Sequence, residues 1–242
     1  MIITSMAFIK SVTSFRVIIQ HNMTGLLLIN KPIGITSHDV VYCVRKVTGE
    51  KKVGHAGTLD PEASGLLIVG VGREATKKLG PLTTGTKKTY KAEITLGATS
   101  TTDDREGQLE FVADTRPSRS ALAATLSKFS GKITQTPPIY SAIKLKGKKA
   151  YDLARKGKEV KLKAREINIY KLKLISYSYP KVEIECTVSA GTYIRALARD
   201  IGRSLGTGAF LSALERTRIG NFALKNATNL KDLGENWERL LV

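Results

Sequence analysis

Gly54-His55-Ala56-Gly57-Thr58-Leu59-Asp60-Pro61-Glu62-Ala63-Ser64-Gly65-Leu66-Leu67 places one carboxylate in a tight turn among three glycines, with an apolar strand directly after it. Gly54 and Gly57 permit backbone shapes and close approaches that a side chain would block. Pro61 biases Asp60 away from the α region and fixes the next φ. Asp60 is thus expected on a rigid loop, a setting that suits a carboxylate with chemical work to do. Taken without its neighbours, the same Asp-Pro pair also reads as a polar turn before a strand.

Around this stretch lie 242 residues, enough for one large domain or two small ones. A hydrophobic content of 42% supports a sizeable core. Lys plus Arg number 39 against 21 Asp plus Glu, a net charge of +18. That balance points to a polyanionic partner, either nucleic acid or an acidic membrane surface. No run approaches the ~20 consecutive apolar residues of a spanning helix, so no membrane-spanning role is expected. Cys43 and Cys186 are far apart and in no CxxC pattern; they read as core residues of a reducing compartment. His21, His38 and His55 show no metal-ligand spacing, and no metal site is expected. Residues 1–22 contain no acidic residue and only Lys10 and Arg16 as charges. They read as a disordered or loosely attached extension, or as sequence upstream of a functional start at Met23.

Residues 25–30 form an apolar run expected to be a strand, and Thr36 or Ser37 caps a helix carrying Val40, Val41, Val44 and Val47 on one face, stopped by Gly49. Residues 66–71 and 89–96 read as strands, the second by its alternation. Residues 103–107 form a polar turn. Helices are expected over 118–129 and 148–156, and the alternating runs 167–177 and 182–188 should pair through the turn near Pro180. Residues 193–205 make an amphipathic helix with Ile194, Leu197, Ala198, Ile201 and Leu205 inward and Gly206 as its stop. Phe210, Leu211 and Leu214 are read as the start of another short helix, and 230–241 as a closing one. Without a regular βαβ repeat this is an α+β chain with a mixed, mostly antiparallel sheet. No linker divides it, so one compact domain is expected.

The opening stretch resembles the catalytic loop of the TruB family of pseudouridine synthases, G-H-x-G-x-L-D-P-x-A-x-G-L/M-L. Further matches follow in family order over about residues 24–220. They are 28–37 (LINKPIGITS), 87–90 (KKTY), 136–144 with 147–151 (TPPIYSAIK, GKKAY), and 191–195 (GTYIR). The resemblance implies the pseudouridine synthase fold over residues 23–242, with no room for the C-terminal PUA domain that many relatives carry. It implies a tRNA pseudouridine synthase that converts uridine 55 of the T arm to pseudouridine. Such an enzyme flips the base out and rearranges its glycosidic bond with an aspartate. It needs no cofactor, and it is expected to be a cytoplasmic monomer.

The family pattern assigns roles residue by residue. Asp60 matches the catalytic aspartate, which must be ionised to act as nucleophile or base. Arg195 matches the arginine that holds this carboxylate by an ion pair. Tyr90 matches the tyrosine that stacks on the target base and handles the C5 proton; such stacking is worth about 1–3 kcal/mol. His55 matches the histidine that fills the space left by the flipped base. Lys31 matches a lysine that supports the loop or meets phosphate, Tyr193 a residue beside the aspartate, and Leu214 a leucine lining the base pocket. As residues alone, Tyr90 also reads as an inward strand aromatic, Leu214 as core, His55 as a turn histidine and Arg195 as a solvated helix-start arginine. The family's D-T-x-D turn departs here to Thr101-Thr102-Asp103-Asp104, with threonine at the first acidic position. Between residues 144 and 173 lie 12 Lys/Arg against Asp152, Glu159 and Glu166, read as an RNA-grasping element that offsets the cost of unstacking.

Two rival functions come from other classes: a non-catalytic RNA-binding or tRNA-folding module, and a guide-RNA-dependent synthase. Retention of Asp60, Tyr90 and Arg195 opposes the first, and the expected lack of a PUA domain the second. The GxGxxA string 70–75 follows a strand but lacks a repeating βαβ context for a dinucleotide site. SxxK at 141–144 has no SDN or KTG after it.

Overall fold

The computed structural model describes residues 23–145 and 147–242, so the expected extension 1–22 lies outside the described residues. They form two compact units, one up to Thr89 and resuming at Glu215–Val242, the other Tyr90–Leu214.

The first unit opens with β1 (Gly25–Lys31), α1 (Ser37–Thr48), β2 (Val53–Ala56) and β3 (Ala63–Val71), followed by the short helices α2 (Arg73–Lys77) and α3 (Leu79–Thr84). β3 lies between two antiparallel neighbours. It pairs with β1 from Gly25↔Val71 to Lys31↔Gly65 and with β2 from Val53↔Val71 to Ala56↔Ile68. Its two faces are covered as well, with Leu67, Val69 and Val71 in one core cluster and Leu66 and Ile68 in another, which is why residues 66–71 read as an apolar run without alternation. α1 begins at a capping box. The Thr36 hydroxyl accepts from Asp39 N at 3.1 Å while Thr36 N donates to Asp39 Oδ2 at 2.8 Å. Gly49, at φ 70°, closes the helix in the left-handed region that glycine adopts without strain. Val40, Val41 and Val44 of α1 pack with Leu27, Leu67, Val69 and Trp237 in one core cluster.

β4 (Lys88–Leu96) carries the chain into the second unit, which continues with the hairpin of β5 (Ala98–Ser100) and β6 (Leu109–Phe111). α4 (Arg119–Ser127), β7 (Gly131–Gln135), the two-residue strands β8 (Lys144–Leu145) and β9 (Lys148–Lys149), and α5 (Ala150–Ala154) follow. β10 (Arg165–Ser178) and β11 (Lys181–Val188) then form the expected antiparallel pair, with Tyr177↔Val182 beside the turn. β7 adds to the other edge of β10, antiparallel from Arg165↔Gln135 to Ile169↔Gly131. α6 (Ile194–Leu205) presents Ile194, Leu197, Ala198 and Ile201 inward and ends at Gly206, φ 70°.

β12 (Ala209–Ile219) begins in the second unit and ends in the first. The sequence expectation of a helix at Phe210, Leu211 and Leu214 is wrong. This segment is strand, because backbone pairing with distant strands outweighs the helix-like apolar spacing of its first half. β13 (Phe222–Ala223) pairs antiparallel with the end of β12, and β14 (Thr228–Asn229) pairs parallel with β1. The expected closing helix is likewise replaced by two single 3₁₀ turns, Leu230–Asp232 and Trp237–Leu240. They seat Leu230, Leu233 and Trp237 on the core. The sheet is mixed and mostly antiparallel, as expected for an α+β chain.

Candidate active site

The loop between β2 and β3 is fixed by its backbone. Ser37, the first residue of α1, is 1% exposed, and its hydroxyl donates to Leu59 O at 3.0 Å while accepting from Leu59 N at 2.8 Å. One hydroxyl thus satisfies both polar groups of the residue before Asp60. The residue after it is held as well: Pro61 O accepts from Gly34 N at 2.9 Å and from Lys31 Nζ at 3.3 Å. Asp60 O closes the turn by accepting from Ala63 N at 3.0 Å. Asp60 therefore sits half-buried on a turn whose two flanks are anchored to β1 and α1.

Lys31 is 0% exposed. Besides Pro61 O, its ammonium donates to Pro32 O at 2.8 Å and Ile35 O at 2.7 Å, so all three of its protons point at carbonyls of the turn region. Burial drives its pKa down to about 8, opposed by the nearby carboxylates of Asp60 and Glu62 and assisted by Arg216. Of the two roles the resemblance allowed Lys31, its geometry fits loop support. His55, at the centre of β2, is half-buried, and its Nδ1 is enclosed with no hydrogen-bond partner among the described residues. Burial first, then the charges of Arg216 and His38, lowers its pKa, which favours the neutral imidazole.

In the second unit, Arg195 lies in the first turn of α6 with its guanidinium nearly buried. Nη1 pairs with Asp104 Oδ2 at 2.9 Å and donates to Thr102 O at 3.2 Å, and Nη2 donates to Tyr140 O at 2.9 Å. Asp104 in turn accepts from the Thr102 hydroxyl and from Glu106 N. One helical turn on, Arg199 repeats the pattern. Nη1 pairs with Asp103 Oδ2 at 2.8 Å, Nε with Asp200 Oδ1 at 3.0 Å, and Nη2 donates to Thr136 O at 2.8 Å. Asp103 adopts φ 63°, and its carbonyl accepts from Leu211 N at 3.0 Å. Burial raises its carboxyl pKa against the pull of Arg199 and Arg195.

Tyr193, just before α6, is held through its backbone. Gln135, 1% exposed, accepts from Tyr193 N at 2.9 Å and donates to Tyr193 O at 3.1 Å. Its ring faces the Arg165 guanidinium at 5.1 Å, a cation–π contact, and Arg165 also donates to Gly191 O. Tyr90 is 7% exposed on β4 and Leu214 half-buried on β12. Within the first unit the fold thus gathers Lys31 and His55 around the Asp60 loop; Tyr90, Tyr193, Arg195 and Leu214 belong to the second. Sequence reading missed Ser37 as a loop anchor, Asp104 as a partner of Arg195, Gln135, and Arg216. Only Asp104 carried a local signal, as the last acidic position of the altered D-T-x-D turn. Among the described residues no cluster of His, Cys, Asp and Glu suits a metal ion, and no helix is long and apolar enough to cross a membrane.

Within the first unit a carboxylate stands on a loop anchored at both flanks, a setting suited to an enzyme. Residues 45–194 match the family model of the TruB family pseudouridylate synthase N-terminal domain, and residues 195–239 that of the tRNA pseudouridylate synthase B C-terminal domain. The chain belongs to the TruB family. It is 47% identical over 213 residues to a tRNA pseudouridine synthase B of Clostridium acetobutylicum, covering 88% of this chain and 73% of that one. It is 46% identical over 216 residues to that of Mycobacterium tuberculosis, covering 87% and 72%. Among solved structures it is similar to a chain of a Cbf5–Nop10–Gar1 complex, at 31% identity and TM-score 0.69, covering 86% of this chain and 53% of that one. It is also similar to a chain of an H/ACA RNP bound to a substrate RNA containing 2'-deoxyuridine, at 29% identity and TM-score 0.65, covering 86% and 52%. The chain spans about half of each of these two.

Proposed function

We propose that this chain is a tRNA pseudouridine synthase that isomerises uridine 55 in the T arm. The observation that carries the reading is Asp60. In a chain of this family, the matching aspartate stands on a loop whose backbone is fixed on both sides of it, at Leu59 and at Pro61. Positioning of that kind lets a carboxylate meet a reacting atom without reorganising. The reaction breaks the N1–C1′ bond and joins C1′ to C5; the C5 hydrogen leaves and a proton ends on N1. Atoms are redistributed within one nucleotide with no net oxidation, so the balance requires no redox partner. Asp60 acts on the base or the sugar, Tyr90 stacks on the flipped uracil, and Arg195 supports the ionised carboxylate. His55, Tyr193 and Leu214 shape the space the base enters, and Lys31 supports the loop. The exposed Lys144, Lys148, Lys149, Lys156, Lys158, Lys161 and Lys163 supply phosphate contacts that offset unstacking. The chain works in the cytoplasm as a monomer and without a guide RNA.

The test is tritium release from unmodified tRNA labelled at uridine C5, using the purified chain alone, with and without the T-arm target uridine. Release that requires that uridine is the expected result. Tight tRNA binding with no release would replace this reading by a binding module or by a synthase that needs a guide, and release without the target uridine would move the substrate.

A further inference from the structure

Arg216 is 1% exposed and is among the largest fully buried side chains of the described residues. It lies on β12, in a position that no local spacing connects to the Asp60 loop. Its guanidinium spans that loop: Nη2 donates to Gly57 O and Nε to Leu66 O, each at 2.8 Å. Gly57 leads into the loop and Leu66 follows it, so one planar group ties the two ends together. Its own backbone presses on the same place. A Cβ at Gly65 would lie 2.4 Å from Arg216 O and 2.7 Å from Arg216 N, and Gly65 adopts φ 102°. A Cβ at Gly57, φ 71°, would lie 3.4 Å from Arg216 Nη1. Gly65 therefore lets the β12 backbone close on the loop, while at Gly57 the contact with the guanidinium would be ordinary and it is the positive φ that calls for glycine.

A guanidinium keeps its charge at any ordinary pH, and a hydrophobic residue would fill a buried site at lower cost. Two donors in a rigid fork are what an aliphatic residue, or a lysine with its single nitrogen, lacks. The charge is felt locally, since Arg216 is among the causes that lower the pKa values of Lys31, His55 and Lys88. Ser37 and Lys31 hold the middle of the loop; Arg216 closes its ends.

We propose that Arg216 is a positioning residue for catalysis: by bridging Gly57 and Leu66 it sets the reach of Asp60, and it acts on turnover rather than on the grip on RNA. This rests on the reading of Asp60 as the reacting group. The variants are Arg216→Lys, which keeps the charge but not the fork, and Arg216→Met, which removes both. They are measured by kcat and KM for tritium release and by hydrogen–deuterium exchange of the peptide covering residues 54–66. A displacement of about 1 Å can cost on the order of 10²-fold in rate. Arg216→Met should lower kcat by about that factor with KM for tRNA within about twofold, and exchange should rise in residues 54–66 while the rest of the chain keeps its protection. Arg216→Lys should keep the protection elsewhere but recover only part of kcat. Wild-type kcat in both variants overturns the proposal. So does a uniform rise in exchange in both, or failure of both to fold, since either would make Arg216 a general structural residue. A wild-type chain that releases no tritium from any tRNA would sink the reading of the function instead, while exchange would still report whether Arg216 closes the loop.

Discussion

Lys31, Lys88 and Arg216 of the first unit are buried with backbone carbonyls as acceptors, whereas the nearly buried Arg195 and the half-buried Arg199 of the second each pair with a carboxylate as well as donating to a carbonyl. The two solutions do different work. A cation on carbonyls fixes the path of the chain, and the anchors that the first unit supplies to the Asp60 loop all act on backbone atoms: Leu59, Pro61, Gly57 and Leu66. A cation on a carboxylate uses up the carboxylate, and the turn bearing Asp103 and Asp104 is held by its own side chains. One arrangement presents a side chain for chemistry. The other supports a helix start, from which Arg195 and Tyr193 are placed.

The sharpest break between the two acidic turns is expected at Asp60 itself. Asp60→Asn should reduce tritium release by about 10⁴-fold or more, the scale at which loss of a reacting group is felt, while tRNA binding stays close to wild type. Wild-type-like turnover would end the assignment. Asp104→Asn should act in the opposite sense, on stability first. Both partners of the Arg195 pair are close to fully buried, and Asp104 also accepts from the Thr102 hydroxyl and Glu106 N, so replacing its carboxylate breaks a buried ion pair and should cost about 3–5 kcal/mol in urea unfolding. A loss within the range of a surface pair would mean that Asp104 is not what holds Arg195. Ser37→Ala should fall between support and chemistry. It strands the buried N–H and carbonyl of Leu59, costing about 1–3 kcal/mol, and it should lower kcat more than it raises KM. Unchanged stability and kcat would show that the loop does not depend on this hydroxyl.

How far the sequence discloses this arrangement depends on the range of the interactions. α1 was legible because its capping residues, apolar stripe and terminal glycine are all local, and the β10–β11 pair because its two alternating runs flank one short turn. β12 was misread because its first half is apolar without alternation, and what makes it a strand is its place between β3 and β4, segments more than 100 residues away. The closing helix failed for a similar reason: Leu230, Leu233 and Trp237 are spaced like a helical stripe, but packing on the core is met by two separate turns. At the site, Asp60 stood out through the glycines and proline beside it. Ser37, Gln135 and Arg216 reach their partners across 22, 58 and 150 residues, and no spacing rule connects residues so far apart. Asp104 lay in a turn the sequence did mark, but its partner was 91 residues away.

The finest difference between the two kinds of buried cation should appear in the pH dependence of stability. Lys88 Nζ donates to Thr83 O at 2.9 Å and Thr86 O at 3.1 Å, and burial, then the charge of Arg216, lowers its pKa from 10.5 to about 8. Between those values the unfolded chain still holds a proton that the folded chain has released. More protons on the unfolded state mean that stability rises with pH, by up to about 1.4 kcal/mol per pH unit for one such group. Below about pH 8 both states are protonated, and the group contributes no slope. Lys88→Met should therefore make the climb between about pH 8 and 10.5 shallower by up to that amount in urea unfolding, and a second change at Lys31, also near 8, should flatten it further. Asp104→Asn should leave the same slope untouched, because a guanidinium does not release its proton in this range. If Lys88→Met and Asp104→Asn changed the slope alike, the contrast between cations on carbonyls and cations on carboxylates would fail at the level of protonation, and only the difference in geometry would remain.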